Sequence, residues 1–359
     1  MSSALFSPLT LRGLTLPNRV VISPMCQYSA HNGCATDWHL MHIGQFSVSG
    51  SGMMIVEMTN VEAAGRISPY CLGLYDDDTE AALARVLDFS RQYGNTPMAV
   101  QLAHAGRKAS TQPPWLAREP LTPSNGGWQP VAPSAIPMDD NSLVPRALTR
   151  AEIATLVEDF ASSARRAERI GFEAIELHGA HGYLLHQFLS PLSNQREDDY
   201  GGSLENRMRL LLEVYDAMRS EVRSDMPIGV RVSATDWVDG GWTPEETVQL
   251  AAILKTRGCD WMDVSSGGLI AAEIPLKPGY QVPFAQKVKQ ETGITTMSVG
   301  LITEPQQAED IITSAQADMV ALARGMLYDP RWTWHAANAL GAEANYPNQY
   351  QRCAPRTGG

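Results

Sequence analysis

Short apolar runs alternate along the chain with longer segments in which apolar residues return every three to four positions. The short runs predict strands at Val20–Ile22, Met53–Val56, Met98–Leu102, Ala174–Leu177, Ile228–Val232, Trp261–Val264, Thr296–Val299 and Met319–Leu322. Between them the spacing predicts helices over 39–49, 79–93, 150–170, 204–223, 244–257, 282–292, 304–315 and 333–340. Start signals support several of these. Thr149 has Glu152 three residues on, Thr243 precedes Pro244, and Thr303 precedes Glu304 and Pro305. Eight strand–helix repeats in an α/β chain predict a (β/α)8 barrel of the TIM type. A doubly wound sheet would need a G-x-G-x-x-G turn between a strand and a helix. Gly50-Ser51-Gly52 comes nearest, but it precedes its strand.

The longest break in the alternation, 103–148, is rich in Pro, Gly and Trp. Lying after the third strand, it would sit on the face of the barrel where function collects, as a lid or specificity loop. Residues Leu5–Asn18, with Gly13 midway, predict an N-terminal β-hairpin closing the barrel floor. The tail 342–359 has no periodicity and is expected to lie on a surface or against a neighbouring subunit. The expected organisation is one barrel domain over 1–359.

Composition narrows the picture without changing it. Apolar residues make up 44% and charged residues 19% of 359, a globular balance. No run is long enough to span a membrane, and the start lacks the order of a secretory signal, so a cytoplasmic location is expected. Five cysteines in no C-x-x-C spacing argue for free thiols rather than a disulfide framework or a cysteine zinc site. A net charge of −11 disfavours nucleic acid as a partner and leaves room for local phosphate sites.

Candidate chemistry collects at the carboxyl ends of the strands, where a barrel places its active site. These ends carry Ser23-Pro24-Met25-Cys26, Glu57, Thr59 and Asn60, Gln101 and His104, His178 and His181, Arg231, Ser265-Ser266-Gly267-Gly268, Gly300, and Ala323-Arg324. Gly300 and Arg324 suit a phosphate, or else a glycine turn beside an Arg paired with Asp329. His178 and His181 stand three apart at a turn, so both imidazoles can converge on one oxygen or one metal. A metal-dependent hydrolase or lyase would need a further ligand, for which His104 and Asp236 are the nearest thoughts, neither at ligand spacing. Two neutral imidazoles aimed at a carbonyl oxygen fit better. Tyr183 and Tyr28 are phenols that can donate a proton without prior charging. Cys26 has no histidine at a spacing that would activate it as a hydrolytic nucleophile. Arg107 and Lys108 either meet an anion or stand as a solvated pair.

Taken together, Pro17-Asn18-Arg19-Val20, Pro24-Met25-Cys26-Gln27-Tyr28, Gln101-Leu-Ala-His-Ala-Gly-Arg107, His178-Gly-Ala-His-Gly-Tyr183, Ser190-Pro191, Tyr200-Gly-Gly-Ser-Leu-Glu-Asn-Arg207, Val299-Gly300 and Arg324 resemble the old yellow enzyme family. Within it they are similar to the bacterial thermophilic-like, xenobiotic reductase-like class of FMN-dependent ene-reductases. The resemblance runs from near residue 5 to beyond 350 and implies noncovalent FMN over the strand ends, with NADPH as hydride donor. It implies that Ser23, Pro24, Met25, Cys26, Asn60, Gln101, Arg231, Gly300, Ala323 and Arg324 bind FMN. Cys26 would lie near the reactive nitrogen, Gln101 and Arg231 at the pyrimidine edge, and Gly300 and Arg324 at the phosphate. His178 and His181 would hold the carbonyl oxygen of an α,β-unsaturated substrate and Tyr183 would protonate its α-carbon, with Tyr28 contacting the carbonyl side. Nitro compounds and quinones are further substrate classes. The class also implies a homodimer in which an Arg of one subunit's tail, here Arg352, enters its partner's site. Three positions depart from the family's usual pattern: Asn60 replaces a small residue, Ala323 a glycine, and Gln351 a Trp beside the tail Arg.

Overall fold

The structure is a computed structural model that describes residues 3–354, so the last five residues of the expected tail lie outside it. Eight parallel strands form a closed barrel. They are β1 (Val20–Ile22), β2 (Met53–Asn60), β3 (Met98–Ala103), β4 (Ala174–Gly179), β5 (Ile228–Ser233), β6 (Trp261–Ser265), β7 (Thr296–Val299) and β8 (Met319–Leu322). Neighbours in the barrel follow chain order, and β8 pairs back onto β1 through Ala321 and Val21. Around it lie α1 (Asp37–Ser47), α2 (Asp77–Tyr93), α3 (Arg150–Arg169), α4 (Leu204–Glu221), α5 (Pro244–Thr256), α6 (Val282–Thr292), α7 (Pro305–Thr313) and α8 (Trp332–Ala339).

Burial on both faces explains why the eight strands read as largely apolar runs, interrupted on the inward side by Gln101, Glu176, Arg231 and Asp263. Val20, Ile22, Val100, Leu102, Val230 and Val232 face the helices, while Val21, Met53, Ile55, Ala99, Met297 and Met319 fill the barrel interior. Trp261 fills part of that interior, and the partner strand answers with Gly229, where a Cβ would stand 2.0 Å from the indole. The floor is the expected hairpin: Leu9–Leu11 pairs antiparallel with Leu14–Leu16. Its Leu11 and Leu16 plug the bottom of the inner core.

Three expectations change in detail. Strand β2 continues four residues past Val56, so Glu57, Thr59 and Asn60 belong to the strand rather than to a loop after it. A register shift between Val56 and Met58 makes this possible, because the bulge at Glu57 re-aims the residues that follow. Helix α7 starts after Glu304, not Thr303, and Glu304 makes no capping bond. Two short helices, Leu184–Leu189 and Arg324–Tyr328, stand at the ends of β4 and β8 where no helix is expected. The 103–148 segment is a long loop with three single 3₁₀ turns and one two-residue ladder, Val131–Ala132 with Arg146–Ala147.

Candidate active site

Strand β4 delivers His178 as its penultimate residue, buried at 3% exposure. The chain then turns through His181 and Gly182, both in the left-handed region at φ 58° and 70°. That turn folds both imidazoles and the Tyr183 ring together. The rings of His178 and His181 lie 5.2 Å apart, and those of His178 and Tyr183 lie 5.1 Å apart. The turn is braced from three sides. His181 N–H donates to Ser233 Oγ at 2.9 Å, and its Nε2 meets Ser265 Oγ at 2.7 Å. Gly182 lies against Gly268, where a Cβ would sit 2.2 Å from the Gly268 carbonyl oxygen, so the ends of β4 and β6 touch through glycine backbone.

Burial sets the charge state of this cluster. It pushes both His178 and His181 well below the usual imidazole range, with the Arg231 cation adding to the effect. Burial pushes the Tyr183 phenol up, and Cys26 and Tyr28 add to that. Two neutral rings and a protonated phenol therefore share one side of the barrel mouth. His178 Nδ1 is buried without a partner, which an acceptor oxygen would satisfy.

The interior beneath carries charge that the strand-end residues alone do not reveal. Arg231 pairs with Asp263 at 2.9 Å, and Gln101 Nε2 donates to Glu176 Oε1 at 2.8 Å. Burial and the nearby Asp263 push the Glu176 carboxyl well above the usual carboxylate range. Glu176 and Asp263 were absent from the expected site, although both break otherwise apolar strands at inward positions, and that was the available signal. Ser23, through its N–H to Leu322 O at 3.0 Å, ties the end of β1 to β8. Cys26, Tyr28, Met58 and Cys71 form a small apolar cluster with Tyr183 at its edge, and burial pushes the Cys26 thiol up. Asn60 donates to Leu72 O at 2.7 Å and leaves its own Oδ1 buried without a partner.

Gly300 and Arg324 line one cavity of about 680 Å³ with Ser265, Gln281, Ala323 and Trp332. Gly300 takes φ 121° there. Arg324 is exposed and forms no ion pair among the described residues. The alternative pairing with Asp329 is overturned, because Asp329 accepts from the Arg331 N–H at 2.9 Å and contacts His335 Nδ1 at 2.6 Å. An unpaired guanidinium beside an open glycine backbone fits a phosphate. Ser265 joins this cavity to the histidine pair, since it lines the one and bonds the other.

Arg107 and Lys108 are not a solvated pair. Arg107 is buried and donates to the carbonyls of Ile136, Pro137 and Leu269. Lys108 Nζ donates to the carbonyls of His181 at 2.6 Å and Gly268 at 2.5 Å, and it stands 5.2 Å over the Tyr183 ring. Burial, with Arg107 and Arg118 nearby, pushes its ammonium down to about 7. The residues considered as a third metal ligand are committed elsewhere: His104 to Glu62 at 2.7 Å and Asp236 to His186 at 2.9 Å. Among the described residues no group of three or more His, Cys, Asp or Glu side chains is placed to hold a metal ion.

Neutral donors at one strand end and a cavity lined by a glycine turn and an unpaired Arg across two others give this parallel barrel the layout of an enzyme site with room for a phosphate. Residues 4–343 match the NADH:flavin oxidoreductase / NADH oxidase family. An NADPH dehydrogenase of Geobacillus thermodenitrificans is 44% identical over 354 residues, covering 98% of this chain and 99% of that protein. An NADH:flavin oxidoreductase of Gibberella zeae is 44% identical over 367 residues, covering 97% of this chain and 88% of its own. Among solved structures, morphinone reductase superposes with a TM-score of 0.80 at 28% identity, covering 97% of this chain and 92% of its own. The chain belongs to the NADH:flavin oxidoreductase family, the old yellow enzymes, and is an oxidoreductase that uses FMN. No helix of the described residues is long and apolar enough to cross a membrane.

Proposed function

We propose that this protein reduces the C=C bond of α,β-unsaturated carbonyl compounds with electrons from NADPH, and acts as well on nitro compounds and quinones. The observation that carries this is the convergence of His178 and His181, both held neutral, with the protonated phenol of Tyr183 beside them. Bound FMN would supply the hydride chemistry that links NAD(P)H to the alkene.

The chain's own residues do the rest. His178 and His181 bind the carbonyl oxygen and stabilise the negative charge that builds there. Tyr183 gives the proton at its hydroxyl to the α-carbon, and Tyr28 packs against the carbonyl side. Gly300, the Ala323 backbone and Arg324 hold the phosphate. Ser23, Pro24, Met25, Cys26 and Asn60 line the ring, and Gln101 and Arg231 bond its pyrimidine edge. Glu176, by a hydrogen bond, and Asp263, by an ion pair, keep those last two aimed, as neighbours do for ligating groups. We propose further that the protein is a cytoplasmic homodimer and that Arg352, exposed near the end of the described chain, contributes to the partner's site.

Anaerobic titration tests the central claim. NADPH should bleach the flavin, and an enone, nitroalkene or quinone should restore its colour. A protein that bleaches under NADPH but is reoxidised by none of the three would refute the proposed substrate class. A zinc, manganese or iron centre lost in His178→Ala would instead favour the metal-dependent hydrolase or lyase, which the commitments of His104 and Asp236 disfavour.

A further inference from the structure

The mouth of the site holds one guanidinium whose role is unassigned. A cavity of about 360 Å³ opens over Tyr183 and is lined by Arg107, Lys108, Arg118, Glu119 and Asp139. Most of these groups are already engaged. Arg107 is spent on three backbone carbonyls and Lys108 on two. Asp139 accepts from the Asn141 N–H at 3.0 Å and the Ser142 hydroxyl at 2.8 Å. Arg118 forms no side-chain hydrogen bond and no ion pair among the described residues. The chain presents it through two successive non-glycine residues in the left-handed region, Ala117 at φ 56° and Arg118 at φ 54°. Strained backbone of this kind gathers where function requires it.

Two observations aim Arg118 inward. Trp115, on the same loop, sets its ring edge-on to Tyr28 at 5.9 Å, so this loop closes over the tyrosine side of the site. The Arg118 cation also bears on Tyr28, Tyr183 and Cys26, pulling against the rise that burial gives each of them. The field that reaches the reacting end from this loop is therefore positive. Arg118 is exposed on a loop whose Trp115 packs edge-on against Tyr28, and such a free guanidinium can take a carboxylate through two parallel N–H donors.

We propose that Arg118 makes this enzyme selective for activated alkenes that carry a carboxylate on a short side arm, with the guanidinium gripping the carboxylate while the histidine pair holds the carbonyl. The inference rests on the alkene-reductase assignment above. It deepens that assignment by naming the charge of the substrate's remote end.

The test uses an acyclic methyl enone bearing a propanoate arm and its neutral methyl ester, with the FMN-loaded enzyme. The wild type should favour the acid over the ester in kcat/KM. Arg118→Gln should lower that acid-to-ester ratio by about 10- to 100-fold, the span expected for losing a charge-assisted hydrogen-bonded pair. Arg118→Lys should retain part of it, and Glu119→Gln should not lower it. Calorimetric binding of the saturated ketone acid and its ester gives a second readout that needs no turnover, and Arg118→Gln should weaken only the acid. If neither alkene is reduced, the substrate class above falls while calorimetry still decides the carboxylate grip. Equal ratios in wild type and Arg118→Gln, with equal calorimetric affinities, would overturn the proposal. So would a loss confined to flavin reduction by NADPH, which would give the guanidinium to the dinucleotide's phosphates instead.

Discussion

At the scale of single residues, burial keeps the groups proposed to meet the substrate from charging. Tyr183 is buried against Cys26 and Tyr28, so its phenol retains the proton it is proposed to give. Tyr183→Phe should slow flavin reoxidation by an enone about 10²- to 10⁴-fold, the usual share of a positioned general acid. Flavin reduction by NADPH should stay within a few-fold of normal. Anaerobic stopped-flow of the two half-reactions separates these, and an equal loss in both would remove Tyr183 from the donor role. His178 gives a second, thermodynamic signature. Its folded pKa lies well below the unfolded value, so below about pH 6.5 the unfolded chain binds a proton that the folded chain refuses. Stability should therefore fall as the pH drops through that region and recover above it. The slope approaches about 1.4 kcal/mol per pH unit for this group until the folded histidine itself protonates. Urea denaturation of the FMN-loaded protein should show His178→Asn to be less acid-sensitive than the wild type. Parallel curves would mean that His178 is not held neutral.

Among elements, the turn after β7 is the most exacting. At Gly300 the backbone takes φ 121°, and a Cβ would stand 2.7 Å from Gln281 Nε2 and 3.1 Å from the Tyr280 ring. Gln281 has little freedom to yield, since it donates to Val299 O at 2.9 Å and accepts from Ser266 Oγ at 2.6 Å. Gly300→Ala should weaken FMN binding about 10- to 100-fold, from about 1–3 kcal/mol of backbone strain. Titrating the apoprotein with FMN by fluorescence quenching measures this, and an unchanged affinity would place the phosphate elsewhere. The eight strands were legible because both of their faces are apolar, and the eight long helices because their periodicity runs for more than two turns. The helices Leu184–Leu189 and Arg324–Tyr328 are too short for a repeat of 3.6 to register, and neither has a side-chain cap. Glu57 and Asn60 looked like loop residues because polarity at a strand end hides a bulge. Charge at Lys108 and Arg118 was visible in the sequence. That one bonds the turn carrying His181 and stands over Tyr183, while the other lines the cavity that opens over Tyr183, depends on a loop whose path no local pattern encodes.

For the whole molecule, the outer faces of α1 and α2 leave apolar side chains exposed. Met41 and Tyr93, on α1 and α2, are 48% and 52% exposed, and Trp38 and Phe89 stand beside them in the same elements. Met41, Phe89 and Tyr93 border a groove of about 550 Å³ whose far wall includes the tail residue Tyr350. The tail is pinned there, because the Arg331 guanidinium lies 4.8 Å from the Trp334 ring and 5.8 Å from that of Tyr350. A chain with net charge −11 would repel a copy of itself at long range, so association has to come from such a desolvated patch. The same face ends near Arg352, which ties the proposed dimer to the proposed exchange of an arginine between sites. Sedimentation equilibrium of the FMN-loaded protein should give a dimer at micromolar concentration. Met41→Glu combined with Tyr93→Glu should give a folded, flavin-containing monomer, because two buried and unpaired carboxylates per copy would outweigh the apolar gain. Arg352→Ala should leave the dimer intact but raise KM for the alkene, and a mixture with the double variant's monomer should not restore it. A wild type that is monomeric at working concentration and fully active would remove both the dimer and the exchanged arginine, leaving this face to some other surface.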